Sequence, residues 1–267
     1  MKKIAVVVGT RPEGIKLAPV ILALQKLSHF KVEVCVTGQH RTMLDQVLEV
    51  FGITPDFDLE LMQPGQTLPS LTSRAIEKLD QYFKESKPDF LLVQGDTTTV
   101  FCGALAAFYR QIPIGHIEAG LRTGDLYSPW PEEGNRKLAG ALANLHFAPT
   151  KTSRQNLLNE NVDSSAIFVT GNTVIDALLH ARDLLNKNPP HIGGLPDRLQ
   201  PGVDSARRMV LITGHRRENF GGGIESICGA ISQLAKLFPD TDFVYPVHLN
   251  PQVRGPVIEI LGTVSGI

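Results

Sequence analysis

Two rhythms of apolar and polar positions alternate along this chain: short β-branched runs, then longer stretches with apolar residues three and four apart. Ile4 to Val8 is a continuous apolar run of strand length, and Leu17, Val20, Ile21, Leu24 and Leu27 then fall on one helical stripe. Pro19 is expected near the first turn of that helix, where backbone N–H groups have no intrahelical partner. Val32, Val34 and Val36 alternate as the next strand, and Met43, Leu44, Val47, Leu48 and Phe51 mark the helix behind it. The pair recurs: Asp89 to Val93 with a helix from about Thr99 to Arg110, Ile112 to Ile117 with a helix from about Glu132, and Ala166 to Val169 with a helix through Leu185. Such alternation predicts right-handed βαβ units and a doubly wound parallel sheet, an α/β fold.

Residues 186–203 break the rhythm with Pro189-Pro190, Gly193-Gly194, Pro196 and Pro201-Gly202, and carry no apolar period. Afterwards the pattern restarts, with a strand at Met209 to Thr213, a helix at Ile224 to Leu237 and a strand at Phe243 to Val247. The chain thus divides into a Rossmann-like domain at 1–170 and the start of a second at 171–267, with a Pro/Gly-rich connection at about 186–206. The second is short against the usual ~100 to 150 residues of a domain, so it is expected to be incomplete in this chain, with apolar sheet surface left uncovered.

With 267 residues, 42% hydrophobic and 20% charged, the balance is that of an ordinary soluble protein. The net charge of −1 offers no basic excess, which argues against nucleic-acid or membrane-surface binding and leaves a small-molecule partner. Cys35, Cys102 and Cys228 are far apart in apolar contexts and read as reduced core thiols, with neither a disulfide framework nor a zinc knuckle. The apolar run after Met1-Lys2-Lys3 is too short for a signal-peptide core, and no stretch approaches the ~20 apolar residues of a membrane span. The cytoplasm is the default location.

Chemistry concentrates between Val93 and Glu133. Gln94-Gly95-Asp96-Thr97-Thr98-Thr99, His116-Ile117-Glu118-Ala119-Gly120-Leu121-Arg122-Thr123 and Pro129-Trp130-Pro131-Glu132-Glu133 each place a carboxylate in a strand-end loop. Loops leaving the carboxyl ends of parallel strands line one crevice, so Asp96, Glu118 and Glu132 are candidates for acid–base work there. A bland alternative is that each caps a helix or sits on the surface. The first turn, Gly9-Thr10-Arg11-Pro12-Glu13-Gly14-Ile15-Lys16, meets neither the dinucleotide fingerprint nor the P-loop spacing, which excludes nicotinamide and ATP as first guesses. Arg11 and Lys16 still offer cations at a helix N-terminus for an anion, with an Arg11–Glu13 surface pair as the alternative. Gly214-His215-Arg216-Arg217 with Gly221-Gly222-Gly223 repeats the arrangement in the second half and reads as a diphosphate contact. Gln39, His40, Arg41 and His248 lie at strand ends, where a regulatory or substrate contact is one reading. His29, His180 and His191 read as surface residues and His146 as a satisfied core group; no set of side chains has metal-ligand spacing.

Six segments taken in order, Gly9-Thr10-Arg11-Pro12-Glu13, Gly95-Asp96-Thr97-Thr98-Thr99, Ile117 to Thr123, Pro131-Glu132-Glu133 with Asn135-Arg136, Thr170 to Asp176, and Gly214 to Asn219, resemble the bacterial non-hydrolysing UDP-N-acetylglucosamine 2-epimerases. The resemblance runs from residue 3 to about 262. It implies two Rossmann-like domains of the B-type glycosyltransferase architecture, no cofactor, a UDP-sugar substrate and reversible epimerisation at C2, feeding cell-surface polysaccharide synthesis. By the same resemblance Asp96, Glu118, Glu132 and His215 are the catalytic set, and Arg11, Lys16, Arg122, Arg136 and Arg216 bind substrate. Arg122 and Arg136 support the carboxylates or phosphate, or else pair with Asp125 and Glu133. A homodimer is the expected assembly. Gly14 and Gly134 stand where the family has Ala, and the family's later diphosphate- and ribose-holding segment is absent. A hydrolysing epimerase, a B-type glycosyltransferase and a noncatalytic sugar-nucleotide binder remain open as alternatives.

Overall fold

A computed structural model describes residues 1–38, 41–63, 65–214, 222–248 and 250–267. Two compact units result, Met1–Leu184 and Leu185–Ile267. The first holds a seven-stranded sheet and the second a two-stranded one. Strands β1 (Lys2–Val8), β2 (Phe30–Val36), β3 (Phe57–Asp58), β4 (Phe90–Gln94), β5 (Ile114–Ile117), β6 (Leu145–Ala148) and β7 (Ile167–Val169) stand in the order β3-β2-β1-β4-β5-β6-β7, every pair parallel. The helices between them are α1 (Arg11–Gln25), α2 (Arg41–Val50), α3 (Leu68–Ser86), α4 (Thr98–Tyr109), α5 (Glu132–Leu142), α6 (Lys151–Asn159) and α7 (Val174–Lys187). This is the doubly wound parallel sheet that the alternating pattern predicts.

Coverage of both faces explains why the central strands read as apolar runs and not as alternating ones. Val6, Val8, Val34 and Val36 face a cluster with Leu17, Ile21, Leu44 and Leu48, while Ala5, Val7, Cys35, Leu91 and Val93 face one with Leu79, Phe83, Val100 and Ala104. The Cys35, Cys102 and Cys228 thiols are free and buried, as their apolar contexts suggest. Gly14 is buried in α1, where a Cβ would come to 2.5 Å from Leu44 Cδ1, so the glycine lets α2 close on α1.

Several sequence expectations are corrected here. Pro19 is inside α1, whose first residue is Arg11, so it removes an interior hydrogen bond and does not occupy the first turn. Leu27 lies beyond that helix and is exposed, as is Met43 on α2. The first unit runs to Leu184 and not to 170, because Ala177 of α7 is buried among Ile4, Val6 and Leu92. The structure adds α3, the longest helix described, and α6 to the elements expected from the sequence; Leu71, Ala75, Leu79 and Phe83 recur at helical spacing and bury one face of α3.

The second unit pairs β8 (Arg208–Leu211) in parallel with β9 (Thr241–Val244) and adds α8 (Gly222–Leu237) and α9 (Pro251–Leu261). Ile224, Cys228, Ile231, Val253, Val257 and Leu261 form its core. Asp242 is buried and held by Arg198 and Arg207. All four residues of β8 are exposed, among them Met209, Val210 and Leu211. No helix of the described residues is long and apolar enough to cross a membrane.

Candidate active site

Strand order reverses between β1 and β4, and in a doubly wound sheet that switch point opens a crevice beyond the carboxyl ends of the strands. Gly9-Thr10 leaves β1 there and Gly95-Asp96-Thr97 leaves β4 beside it. The loop after β5 adds Glu118, held at φ 62° between buried neighbours. Its left-handed backbone turns the carboxylate over Gly95, whose Cβ, if present, would lie 3.8 Å from Glu118 Oε2.

Glu118 is saturated with donors. Lys16 Nζ reaches Oε1 at 2.8 Å and Oε2 at 2.6 Å, Asn172 Nδ2 donates to Oε1 at 2.8 Å, and Gln94 Nε2 donates to Oε2. These partners come from α1, from the loop before α7 and from the last residue of β4, so the anion is fixed by elements distant in sequence. Lys16, expected at an anion site, therefore spends its charge on a protein carboxylate here.

Asp96 is treated differently. It is half-buried and bonded by Arg136 from α5, while Asn135 Nδ2 donates to its backbone carbonyl at 3.0 Å. Burial pushes its carboxyl above the usual range, Arg136 opposes that, and the charges of Glu118 and Glu132 add to the rise. Both other predicted carboxylates thus act on Asp96. Glu133, next to Glu132, is fully buried, ion-paired with Arg136 Nη1 at 3.2 Å, and accepts from Thr123 N at 3.2 Å. Arg136 supports carboxylates as expected, Asp96 as well as Glu133.

Other residues stand elsewhere than the sequence suggests. Arg122 pairs with Glu160 of the α6 terminus at 2.7 Å, and neither with Asp125 nor toward Asp96, because the turn at Gly120 carries it to that helix. Arg11 is exposed as the first residue of α1, and the Arg11–Glu13 surface pair does not form because Glu13 turns inward. His29 and His191 are exposed, whereas His180 is half-buried and stacks on Phe51 with ring centroids 5.2 Å apart. His248 is exposed, with Nδ1 accepting from Asn250 N at 3.1 Å at the start of α9. Arg41 begins α2. His215, Arg216, Gln39 and His40 lie outside the described residues.

Sequence reasoning gave no role to Glu13, Gln94, Asn172 or His116, although all lie within or beside the quoted segments. His116 is buried, its Nε2 is 2.7 Å from the Gly95 carbonyl and its Nδ1 has no hydrogen-bond partner. This bond fixes the peptide that precedes Asp96. His146, beside it in register on β6, is buried with Nδ1 likewise unpartnered, so it is a core group only half satisfied. Burial lowers both imidazoles, His116 from 6.5 to about 4. A lowered histidine contributes stability that is present above its unfolded value and lost as pH falls through the folded one. For His116 the window is about 6.5 to 4, with a ceiling of ~3 kcal/mol. Imidazole carbon–proton spectra should show His116 neutral down to about pH 4; a midpoint above 6 would contradict its enclosure.

The family profile described as UDP-N-acetylglucosamine 2-epimerase matches residues 22–267. A UDP-N-acetylglucosamine 2-epimerase of Escherichia coli (strain K12) is 57% identical over 265 residues, which is 99% of this chain and 70% of the relative. The crystal structure of UDP-GlcNAc 2-epimerase from Neisseria meningitidis bound to UDP-GlcNAc superposes with a TM-score of 0.87 at 50% identity, covering 100% of this chain and 71% of that one. The Methanocaldococcus jannaschii enzyme in complex with UDP-GlcNAc and UDP gives a TM-score of 0.75 at 30% identity, over 97% of this chain and 68% of its own. Fold and site define an α/β isomerase of the B-type glycosyltransferase architecture. Within that class the chain belongs to the UDP-N-acetylglucosamine 2-epimerase family. It spans about 70% of the length of the E. coli relative.

Proposed function

We propose that the protein interconverts UDP-N-acetylglucosamine and UDP-N-acetylmannosamine by eliminating UDP and adding it back. The observation that carries this reading is the unequal setting of two neighbouring carboxylates: Glu118 is surrounded by four donor contacts, whereas Asp96 is half-buried with Arg136 as its one side-chain partner among the described residues. Two carboxyl groups in such different surroundings can serve as acid and base in one reaction.

The chemistry requires such a pair. C2 of the sugar has no adjacent carbonyl, so its proton is not acidic enough for a carboxylate to remove directly. As the C1–O bond to the diphosphate lengthens, positive character at C1 acidifies that proton. A carboxylate takes it, the C–H electrons form the C1=C2 bond of a 2-acetamidoglucal, and UDP leaves with the C1–O pair. In return a proton is delivered to the opposite face of C2 and a phosphate oxygen closes on C1. Asp96, Glu118 and Glu132 form the acid–base set in this scheme. By the resemblance Arg11, His215 and Arg216 are assigned to the departing diphosphate, and fixed charges of this kind supply several kcal/mol of barrier lowering. Lys16 holds Glu118 in place for that work. The reading includes a cytoplasmic homodimer; the free, buried cysteines support the reducing location.

In deuterated water either UDP-sugar should reach one common mixture, with deuterium at C2 of both. Epimerisation without solvent label would exclude elimination, and release of free N-acetylmannosamine would mark a hydrolysing enzyme instead.

A further inference from the structure

Glu13 is an ionisable group that the acid–base scheme leaves unused. It is 2% exposed, and its neighbours in the structure are donors without formal charge. Oε2 accepts the N–H of Gly9 and, at 2.9 Å, that of Thr10, and Oε1 accepts the hydroxyl of Thr97. The first two anchors belong to the turn after β1. The third is the residue next to Asp96 and the N-cap of α4. A single carboxyl therefore crosses the switch point and ties the Asp96 loop to the first turn. Gly9 keeps this corner open, since a Cβ there would run into Thr99 and lie 3.0 Å from Glu13 Oε2.

We propose that Glu13 is the positioning residue of Asp96: it latches the Asp96 loop to the turn after β1 through Thr97, and its own ionisation adds a negative charge beside Asp96. Both proton states keep the latch. As an anion the carboxyl accepts all three bonds; as an acid it accepts both backbone bonds on Oε2 and donates its proton from Oε1 to the Thr97 oxygen. Ionisation thus changes the charge and leaves the geometry in place. Burial is the chief reason that Glu13 is pushed up to about 7, opposed by its three donors and reinforced by the charge of Asp96. The other charged groups on the surrounding described elements are Arg136 and Glu132 of α5, which act on Asp96, and the Lys16–Glu118 pair. Below about pH 7 Glu13 is neutral and above it Glu13 adds a negative charge beside Asp96, so an anionic substrate is opposed at the alkaline end.

The kinetic half rests on the epimerase reading; the structural half does not. Carboxyl carbon-13 spectra of the wild type and of Asp96→Asn require no turnover. The Glu13 midpoint should lie near 7 in the wild type and fall by about half a pH unit or more in the variant. An unmoved midpoint overturns the coupling. In steady-state kinetics from pH 6 to 9, wild-type KM should rise through about 7, and Glu13→Gln should abolish that rise while keeping kcat at pH 6 within about twofold. Glu13→Ala, which frees Thr97, should lose about tenfold or more in kcat at every pH. A Gln variant with the wild-type profile, or an Ala variant with wild-type kcat, overturns the proposal; if the Ala variant does not fold, the Gln variant decides. A wild type that epimerises nothing removes the functional reading, and the spectra still decide the latch.

Discussion

Asp96→Asn and Glu118→Gln should each lose roughly two or more orders of magnitude in turnover, the scale of a removed acid–base group, while the fold persists. The structure says why stability should hold. In Asp96→Asn, Arg136 keeps its ion pair with Glu133, so no buried charge is left alone. Glu118→Gln keeps an acceptor oxygen for Lys16, whose side chain is 23% exposed and can reach water, so a shift of a few degrees in Tm is the most expected. Turnover and thermal melts on the same samples provide the check. Turnover within about threefold of wild type would remove either residue from the chemistry, and a Tm loss that tracks the activity loss would make it a structural cap.

Gly120→Ala should be the most destabilising small substitution near the site. Gly120 has φ 84°, where a side chain costs about 1–2 kcal/mol on its own. A Cβ there would also lie 2.8 Å from the Ser153 carbonyl carbon and 3.0 Å from Leu157 Cγ, pressing on the backbone of α6. Backbone cannot rotate away as a side chain can. Asn156 Nδ2, on the same helix, donates to the Gly120 carbonyl at 2.9 Å, so displacing the turn breaks that bond as well. The sum is about 3 kcal/mol or more, a Tm loss of roughly 6–12 °C, with reduced activity because Glu118 stands two residues earlier. Gly134→Ala is the internal control: it lies in α5 with open space at its Cβ and should be neutral or slightly stabilising. A Gly120→Ala protein melting within about 2 °C of wild type would refute the close-contact account.

Much of the fold is legible because the cause is local. A strand buried on both faces must be apolar without interruption, and a helix over one face must be apolar at every third or fourth position; Ile4 to Val8 and Leu17, Ile21, Leu44 and Leu48 satisfy both. The positions of Asp96 and Glu118 are legible because loops after parallel strands converge, whereas Glu132, read as a loop residue, is the first residue of α5. Where such reasoning failed, the deciding contact was distant. Pro19 sits mid-helix because Thr10 and Glu13 start α1 earlier than its apolar stripe indicates. Alanine at 177 belongs to the first unit only because it is buried in the core cluster that also holds Ile4 and Leu92.

By itself, then, the sequence determined the class of sheet, the loops that carry the chemistry and the family, since these follow from period, spacing and segment order. Tertiary structure alone decided the partners of each charge. Lys16 meets Glu118 from 102 residues away, Arg122 meets Glu160, and Glu13 joins the turn after β1 to the loop of Asp96. Spacing along a chain says which face a side chain occupies, but burial and an opposing charge arrive from other strands, and they set which carboxylate keeps its proton.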